Sequence, residues 1–439
     1  MKLHCRSSRL QGSVEIPGSK SHTIRAVAIA ALAEGDSVIR EPLLSADTRA
    51  VIDAYSALGA TIEQGPGLWR IQGTGGHLQA PSGPIDVGNS GTTLRIAMGS
   101  CALLREGTAI LTGDEQIQRR PAGPLAQSLT DLGANAISQR GDGCAPFEIS
   151  GTLRGGETSI EAVTSQYLSS LLMSTPLAEG DSTIHVPLLN ERPYVLITLD
   201  WLARQGIRIE HNDDLSEFHV PGGQSFAPVD RRIPGDFSSA TFFLCAGALA
   251  GNDIVCRGLD YADTQGDKAV VEYLRQMGAE VTVEEDEIRV KAATLSGCEL
   301  DLNATPDALP MMAVLGCFAE GETRLVNVPQ ARMKETDRIA VMREELEKLG
   351  ADVEELEDGL IVRESTLRGA TVDGHADHRV VMALAIAATH IDGETIVEGA
   401  EAMDVTYPGF TEALAGLGGE VPCVDAAPRE VGAGGGRTP

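Results

Sequence analysis

At 439 residues and 42% hydrophobic content, the chain is too long for one ordinary core and reads as two domains of roughly 200 residues each. A formal charge of −28 sets it against nucleic acid and anionic membranes, which are bound through Lys and Arg. No stretch approaches the roughly 18 apolar residues of a spanning helix, and MKLHCRSSRL lacks the apolar segment of a secretory signal, which places the chain in the cytoplasm.

The eight cysteines show no CxxC pair or Cys/His cluster, so neither a disulfide framework nor a zinc site is expected. Lysine occurs only at positions 2, 20, 268, 291, 334 and 348. Many acids with few lysines suit a high-salt cytoplasm, where a Debye length of about 3 Å at 1 M mutes self-repulsion; an acidic mesophile surface is the alternative.

In chain order, two signatures each recur six times. One is an amphipathic run closing on glycine before a strand, as in YSALGATIE, SLTDLGANAIS and ELEKLGADVEE, with glycines at 59, 133, 206, 278, 350 and 418. The other is an Ala/Leu-rich helix ending at a glycine before a strand, as in LAEGDSVIREP and FAEGETRLVNVP, with glycines at 35, 107, 180, 251, 321 and 393. Successive glycines are 68 to 74 residues apart, so six units of about 72 residues, each helix, strand, helix and strands, predict an α+β fold of α/β-type repeats with mixed sheets. Each glycine suits a helix C′ position.

The segments ahead of the Ala/Leu-rich helices are polar: PGSKSHTIR, GNSGTTLR, VTSQYLSS, PGDFSSAT, NATPDALP and DGHADHR. A helix N-terminus carries free N–H groups and about half a positive charge, so with the six units arranged three and three several such starts fit convergence on an anion-binding cleft. Pro17-Gly18 and Pro234-Gly235 fit hinges between the halves. Residues 1–18 with 235–425 then form one three-repeat domain and 19–234 the other, with 426–439 a disordered tail.

Ser21 and Arg25 share a helix face with Lys20 beside them, which fits an anion clamp as well as a capping serine with two solvated cations. Glycines in G88-N-S-G-T-T-L-R95 allow close approach of an anion. Arg120 before Pro121 is held by a turn and fits phosphate oxygens. V163-T-S-Q-Y167 supplies neutral donors, for capping or for ligand. Lys334, Glu335, Asp337 and Arg338 in RMKETDR make either a solvated charge run or a catalytic cluster with Asp307, and D377-H378-R379 opens the sixth helix with either a surface histidine or a ligand.

PGSKS…R, GNSGT, LTGD…RP, SQY, RPY, PDA, KETDR and DHR, in this order over nearly the whole chain, resemble the 5-enolpyruvylshikimate 3-phosphate synthase family. The resemblance implies two domains, each of three βαβαββ units, with the substrates between them. It implies that Lys20, Ser21, Arg25, Thr164, Ser165, Gln166, Tyr194, Asp307, Gln330 and Lys334 hold shikimate 3-phosphate, Arg25 facing its carboxylate. Lys20, Asn89, Gly91, Arg120, Gln166, Glu335, Arg338, His378 and Arg379 would hold phosphoenolpyruvate. Asp307 resembles the base for the 5-hydroxyl, and Glu335 and Lys20 the groups that move protons at the methylene carbon, through a tetrahedral intermediate that then loses phosphate. The family implies a monomer that needs no metal or organic cofactor.

Two positions depart from the family pattern. Glu191 stands where the family has a serine on the shikimate phosphate, and Val405 where it usually has a lysine on the phosphoenolpyruvate side. Loss of that lysine removes a charge-assisted contact of about 1.5–3 kcal/mol and predicts weaker phosphoenolpyruvate binding.

Three other readings share the repeat. The enolpyruvyl transferase acting on UDP-N-acetylglucosamine matches poorly at SQY, RPY and KETDR, and Cys144 has no adjoining motif for its loop cysteine. A cyclase of RNA 3′-phosphate ends conflicts with the acidic balance. A non-catalytic repeat scaffold leaves the polar helix starts unexplained.

Overall fold

A computed structural model of the protein describes residues 1–424; the 426–439 tail expected to be disordered lies outside them. Twelve helices occur among the described residues: α1 (Lys20–Leu32), α2 (Ala46–Ala57), α3 (Gly91–Cys101), α4 (Gly123–Asp131), α5 (Ser165–Ser174), α6 (Arg192–Arg204), α7 (Phe237–Ala248), α8 (Val270–Gln276), α9 (Leu309–Phe318), α10 (Arg338–Lys348), α11 (His378–Ala388) and α12 (Phe410–Gly416). Odd-numbered helices are buried nearly all round and lie inside; every residue of α7 and α11 is buried. Even-numbered helices bury one stripe, such as Val195, Thr198, Trp201 and Leu202 of α6, and face solvent elsewhere.

Six four-stranded sheets share one topology. In the fifth repeat, Glu299–Asp301 runs parallel to Glu322–Val326 across α9; Gly359–Arg363 then pairs antiparallel, and Asp352–Leu356 closes the far edge. Every other sheet repeats this order of one parallel and two antiparallel pairs.

Two sheets take their parallel strand from the far side of a crossing. Gln11–Glu15, just before α1, pairs with Asp253–Arg257 beyond α7, while Asp230–Arg232, just before α7, pairs with Asp36–Arg40 beyond α1. The crossing segments bond to each other: Ser19 N–H donates to Pro234 O (2.8 Å) and Asp236 N–H to Pro17 O (2.9 Å). The N-terminal strand Lys2–Arg6 completes the last sheet beside Glu394–Glu398. Buried apolar residues divide accordingly, one cluster running from Ile24 to Ile233 and the other from Leu3 to Ile16 and Phe237 to Val421. α1, α3 and α5 pack together in the first cluster, and α7, α9 and α11 in the second.

The first glycine series lies one residue past each even helix's C-cap in the left-handed region, with φ from 72° at Gly206 to 107° at Gly59 and Gly133. The second series departs from the C′ expectation. α1 is already closed at the extended Ala33, whose N–H bonds Ile29 O, so Gly35 turns the chain into the strand instead of ending the helix. After α5 the 3-10 turn Thr175–Leu177 makes that change, and Gly180 takes no positive φ.

At the crossing, close backbone approach requires glycine: a Cβ on Gly235 would lie 2.4 Å from Gly258 O. Gly235→Ala is expected to destabilise the protein by about 1–3 kcal/mol through overpacking, read as a lower midpoint in urea unfolding.

Candidate functional site

The starts of α1, α3, α5 and α11, and the 3-10 turn Pro306–Ala308 ahead of α9, open onto one narrow cavity between the two clusters. Caps hold these starts in register: Ser19 accepts from His22 N–H, Ser90 from Thr93 N–H, Thr164 from Gln166 N–H and Asp377 from Arg379 N–H. The other first-turn N–H groups and the helix dipoles make the cavity wall positive.

Arg25, 2% exposed, spends its guanidinium on neutral acceptors: Thr198 Oγ1 (2.8 Å), Ser169 Oγ (3.2 Å), Tyr194 O (3.1 Å) and Ser21 O (3.0 Å). Burial lowers its pKa to about 10. A cation buried without a carboxylate partner is costly unless an anion completes it.

Arg338 is paired to excess, donating Nε to Asp377 (2.7 Å), Nη1 to Asp307 (2.7 Å) and Nη2 to Glu335 (2.6 Å). Arg379 takes the second oxygen of Asp307 at 2.9 Å, Arg120 lies 3.7 Å from Glu335, and Lys20 lies 3.0 Å from Asp47. Burial pushes the Asp307 and Glu335 carboxyls up, but the surrounding cations win and hold both well below the ordinary carboxylate range. Burial, against the pull of Glu335, holds His378 well below the ordinary histidine value, so its imidazole is neutral.

Buried polar atoms with no protein partner gather here: Asn89 Oδ1, Arg120 Nε, Gln330 Oε1, Arg379 Nε and both ring nitrogens of His378. Such atoms are costly to bury unless water or a ligand completes them.

Of the residues expected from the sequence, Lys20, Ser21, Arg25, Gly91, Arg120, Ser165, Gln166, Tyr194, Asp307, Lys334, Glu335, Arg338, His378 and Arg379 line this cavity. Thr164 and Gln330 line an adjoining pocket with Lys334, and Asn89 lies in a neighbouring mouth with Gln116 and Val405. The KETDR segment is not a solvated run, since Arg338 is 1% exposed, and His378 is buried rather than superficial. Sequence reasoning missed Asp47 as the partner of Lys20 and Asp267 as the acceptor of Tyr194 OH (2.7 Å). It also missed the bridge His22 makes between the halves, its Nε2 on Asp263 (3.0 Å) and its Nδ1 accepting from Trp201 (2.9 Å). Ser45 and Thr48 form a capping box that marks the start of α2, but nothing local assigns Asp47 to the site.

A family model described as EPSP synthase (3-phosphoshikimate 1-carboxyvinyltransferase) matches residues 5–414. A 3-phosphoshikimate 1-carboxyvinyltransferase of Ruminiclostridium cellulolyticum is 51% identical over 421 residues, covering 96% of this chain and 99% of its own length. The chain belongs to the EPSP synthase family. A second relative of that name, from Halobacterium salinarum, is 44% identical and covers 94% of this chain and 98% of its own length. The EPSP synthase structure from Acinetobacter baumannii superposes with a TM-score of 0.81 at 28% identity, covering 95% of this chain and 98% of its own. Membership of the EPSP synthase family decides between the readings of the sixfold repeat, against the UDP-N-acetylglucosamine enzyme, the RNA cyclase and the scaffold.

Behind Tyr194 of this EPSP synthase cleft, the Asp267 carboxyl is pushed the other way, up to about 7, by burial and by Asp307 nearby. Its unfolded pKa is about 3.9, so the folded state retains a proton that the unfolded chain releases. Stability from this group is full below about pH 4 and is lost as pH rises through about 7. Asp307 and Glu335, depressed instead, lose their contribution only in more acidic solution. Asp267→Asn keeps an acceptor for Tyr194 and is expected to raise Tm at pH 8 by about 2–4 °C or more, with a smaller gain at pH 5. Equal gains at both pH values in calorimetry would count against the assignment.

Proposed function

We propose that the residues of the cleft divide between two anionic substrates held side by side. The chain transfers the enolpyruvyl group of phosphoenolpyruvate to the 5-hydroxyl of shikimate 3-phosphate and releases phosphate, a step of the shikimate pathway to chorismate. The observation that carries this reading is the convergence of polar helix starts from both halves on Asp307 and Glu335, each held among cations.

Ser165, Thr164, Gln166, Gln330 and Lys334 hold shikimate 3-phosphate at its phosphate end, and Arg25 with Ser21 at its carboxylate. Support comes from Arg25's buried, acid-free guanidinium and from the α5 N-terminus beside Lys334. Lys20, Arg120, Arg338 and Arg379 hold the phosphate and carboxylate of phosphoenolpyruvate, with Asn89, Gln166 and His378 beside them. Gly91 lets the backbone come close; a Cβ there would lie 2.6 Å from Arg120 Nη2.

The 5-hydroxyl oxygen bonds to C2 of phosphoenolpyruvate while C3 gains a proton and becomes a methyl group. Asp307, held ionised by Arg338 and Arg379, accepts the hydroxyl proton. The C2–O bond to phosphate then breaks as the methyl group returns a proton and the double bond re-forms. Glu335 and Lys20 carry the protons at C3. Glu335 is strongly ionised while Arg338 and Arg120 serve it alone. Substrate anions on the same arginines draw that charge away and raise its pKa toward the proton-carrying range.

Residues 1–18 with 235–425, and 19–234, act as two domains hinged at Pro17-Gly18 and Pro234-Gly235, which is supported by the two apolar clusters and the crossing between them. The protein works as a cytoplasmic monomer without nucleic-acid or membrane partners, in a salt-adapted organism. The −28 charge and scarcity of lysine support this, and no helix among the described residues is long and apolar enough to cross a membrane.

Phosphate release from phosphoenolpyruvate is expected to require shikimate 3-phosphate and to rise with KCl toward about 3 M. Asp307→Asn is expected to lower kcat by about 10²–10⁴; release without the second substrate, or full activity of the variant, counts against the assignment.

Val405 is half-buried beside Asn89, Gln116 and Asp114, at the mouth next to the cavity. Val405→Lys is expected to lower KM for phosphoenolpyruvate about tenfold by adding a charge-assisted contact, and an unchanged KM would sink the idea.

A further inference from the structure

Glu191 precedes α6 with φ of 56°, a left-handed conformation rare for a residue with a Cβ. Its carboxylate lies on the start of α5. Oε2 accepts from Ser165 N–H (3.1 Å), Ser165 Oγ (2.7 Å) and Thr164 Oγ1 (3.1 Å), and Oε1 accepts from the Lys334 ammonium. A first-turn N–H, two hydroxyls and an ammonium make an oxyanion pocket, and the carboxylate in it is 2% exposed.

These donors are the ones assigned above to the substrate's phosphate, and the inference rests on that assignment. Three of the four converge on a single oxygen of Glu191, so a phosphate cannot take them while the carboxylate stays. Two buried anions at such distance also repel strongly.

We propose that Glu191 is a built-in occupant of the phosphate subsite, which the phosphorylated substrate must displace and which thereby sets how tightly that substrate is held. Glu191 and Lys334 come from opposite sides of the cleft, so their ion pair also latches it at the phosphate end. Displacement hands Lys334 to the phosphate, and the latch passes from an internal anion to the substrate's own. Cleft closure without substrate and affinity for substrate are therefore opposed through one side chain.

The test compares wild type, Glu191→Gln and Glu191→Ser in steady-state kinetics and in calorimetric titration with inorganic phosphate and with shikimate 3-phosphate. Glu191→Ser is expected to lower KM for shikimate 3-phosphate about tenfold or more and to tighten inorganic phosphate in parallel, with KM for phosphoenolpyruvate unchanged. Glu191→Gln, equal in size and uncharged, moves both constants the same way and decides the question alone if the serine variant does not fold. Unchanged or weaker binding of both ligands in an active variant overturns the proposal. A wild type that releases no phosphate in response to shikimate 3-phosphate refutes the reaction instead; the inorganic phosphate titration still decides on Glu191, tightening in the variants supporting its occupancy of the pocket and no tightening overturning it.

Discussion

Arg338 is the ionic node on which the cleft is built. A guanidinium buried to 1% exposure persists only if its lost hydration is replaced, and here three carboxylates replace it. They arrive from the Pro306–Ala308 turn, the loop before α10 and the N-cap of α11, so one side chain fixes three helix starts relative to one another. Three acids on one cation leave excess negative charge, which further cations must balance. Arg379 takes the spare oxygen of Asp307, and Arg120 approaches Glu335 from the other half of the molecule. The site's basic residues are thus required by the fold's own electrostatics as well as by its substrates.

The repeat explains why such a node can exist. In each unit the parallel strand pair carries an inner helix buried on nearly every side, and three such helices packed together leave mainly their ends open to the cleft. The exchange of Gln11–Glu15 and Asp230–Arg232 between sheets pins the two helix trios at one edge, where Ser19 and Asp236 bond across the crossing. The starts of α1, α3, α5 and α11 and the Pro306–Ala308 turn then face a common space, and the aligned dipoles add to the arginine and lysine charges.

Much of this was legible in the sequence because glycine reports backbone conformation directly. The series at 59, 133, 206, 278, 350 and 418 marks six even-helix ends in the left-handed region, and repeat length and fold class follow. The second series was over-read, since an extended residue such as Ala33 can close a helix before the glycine arrives. Charge was harder to read. KETDR looks like a solvated run because its neutralising partners are far away in sequence: Asp307 is 31 residues before Arg338 and Asp377 is 39 after it. Asp47 and Asp263 were invisible for the same reason, as their partners Lys20 and His22 belong to other elements. Glu191 stood out as a departure, but that its carboxylate takes the place of an anion depends on the φ of one residue, which no local pattern announces.

The global and local charges then have separate physics. A surface carrying most of a −28 balance repels polyanionic substrates at long range, and salt weakens that repulsion because exposed charges a Debye length apart are screened. The pairs of Arg338, Arg379 and Lys334 lie out of reach of mobile ions and are screened far less. Salt therefore acts on encounter and on the stability of the acidic shell, while the buried ion pairs inside the cleft keep most of their strength. An acid-rich exterior and a basic interior are compatible because the two sets of charges meet different dielectrics.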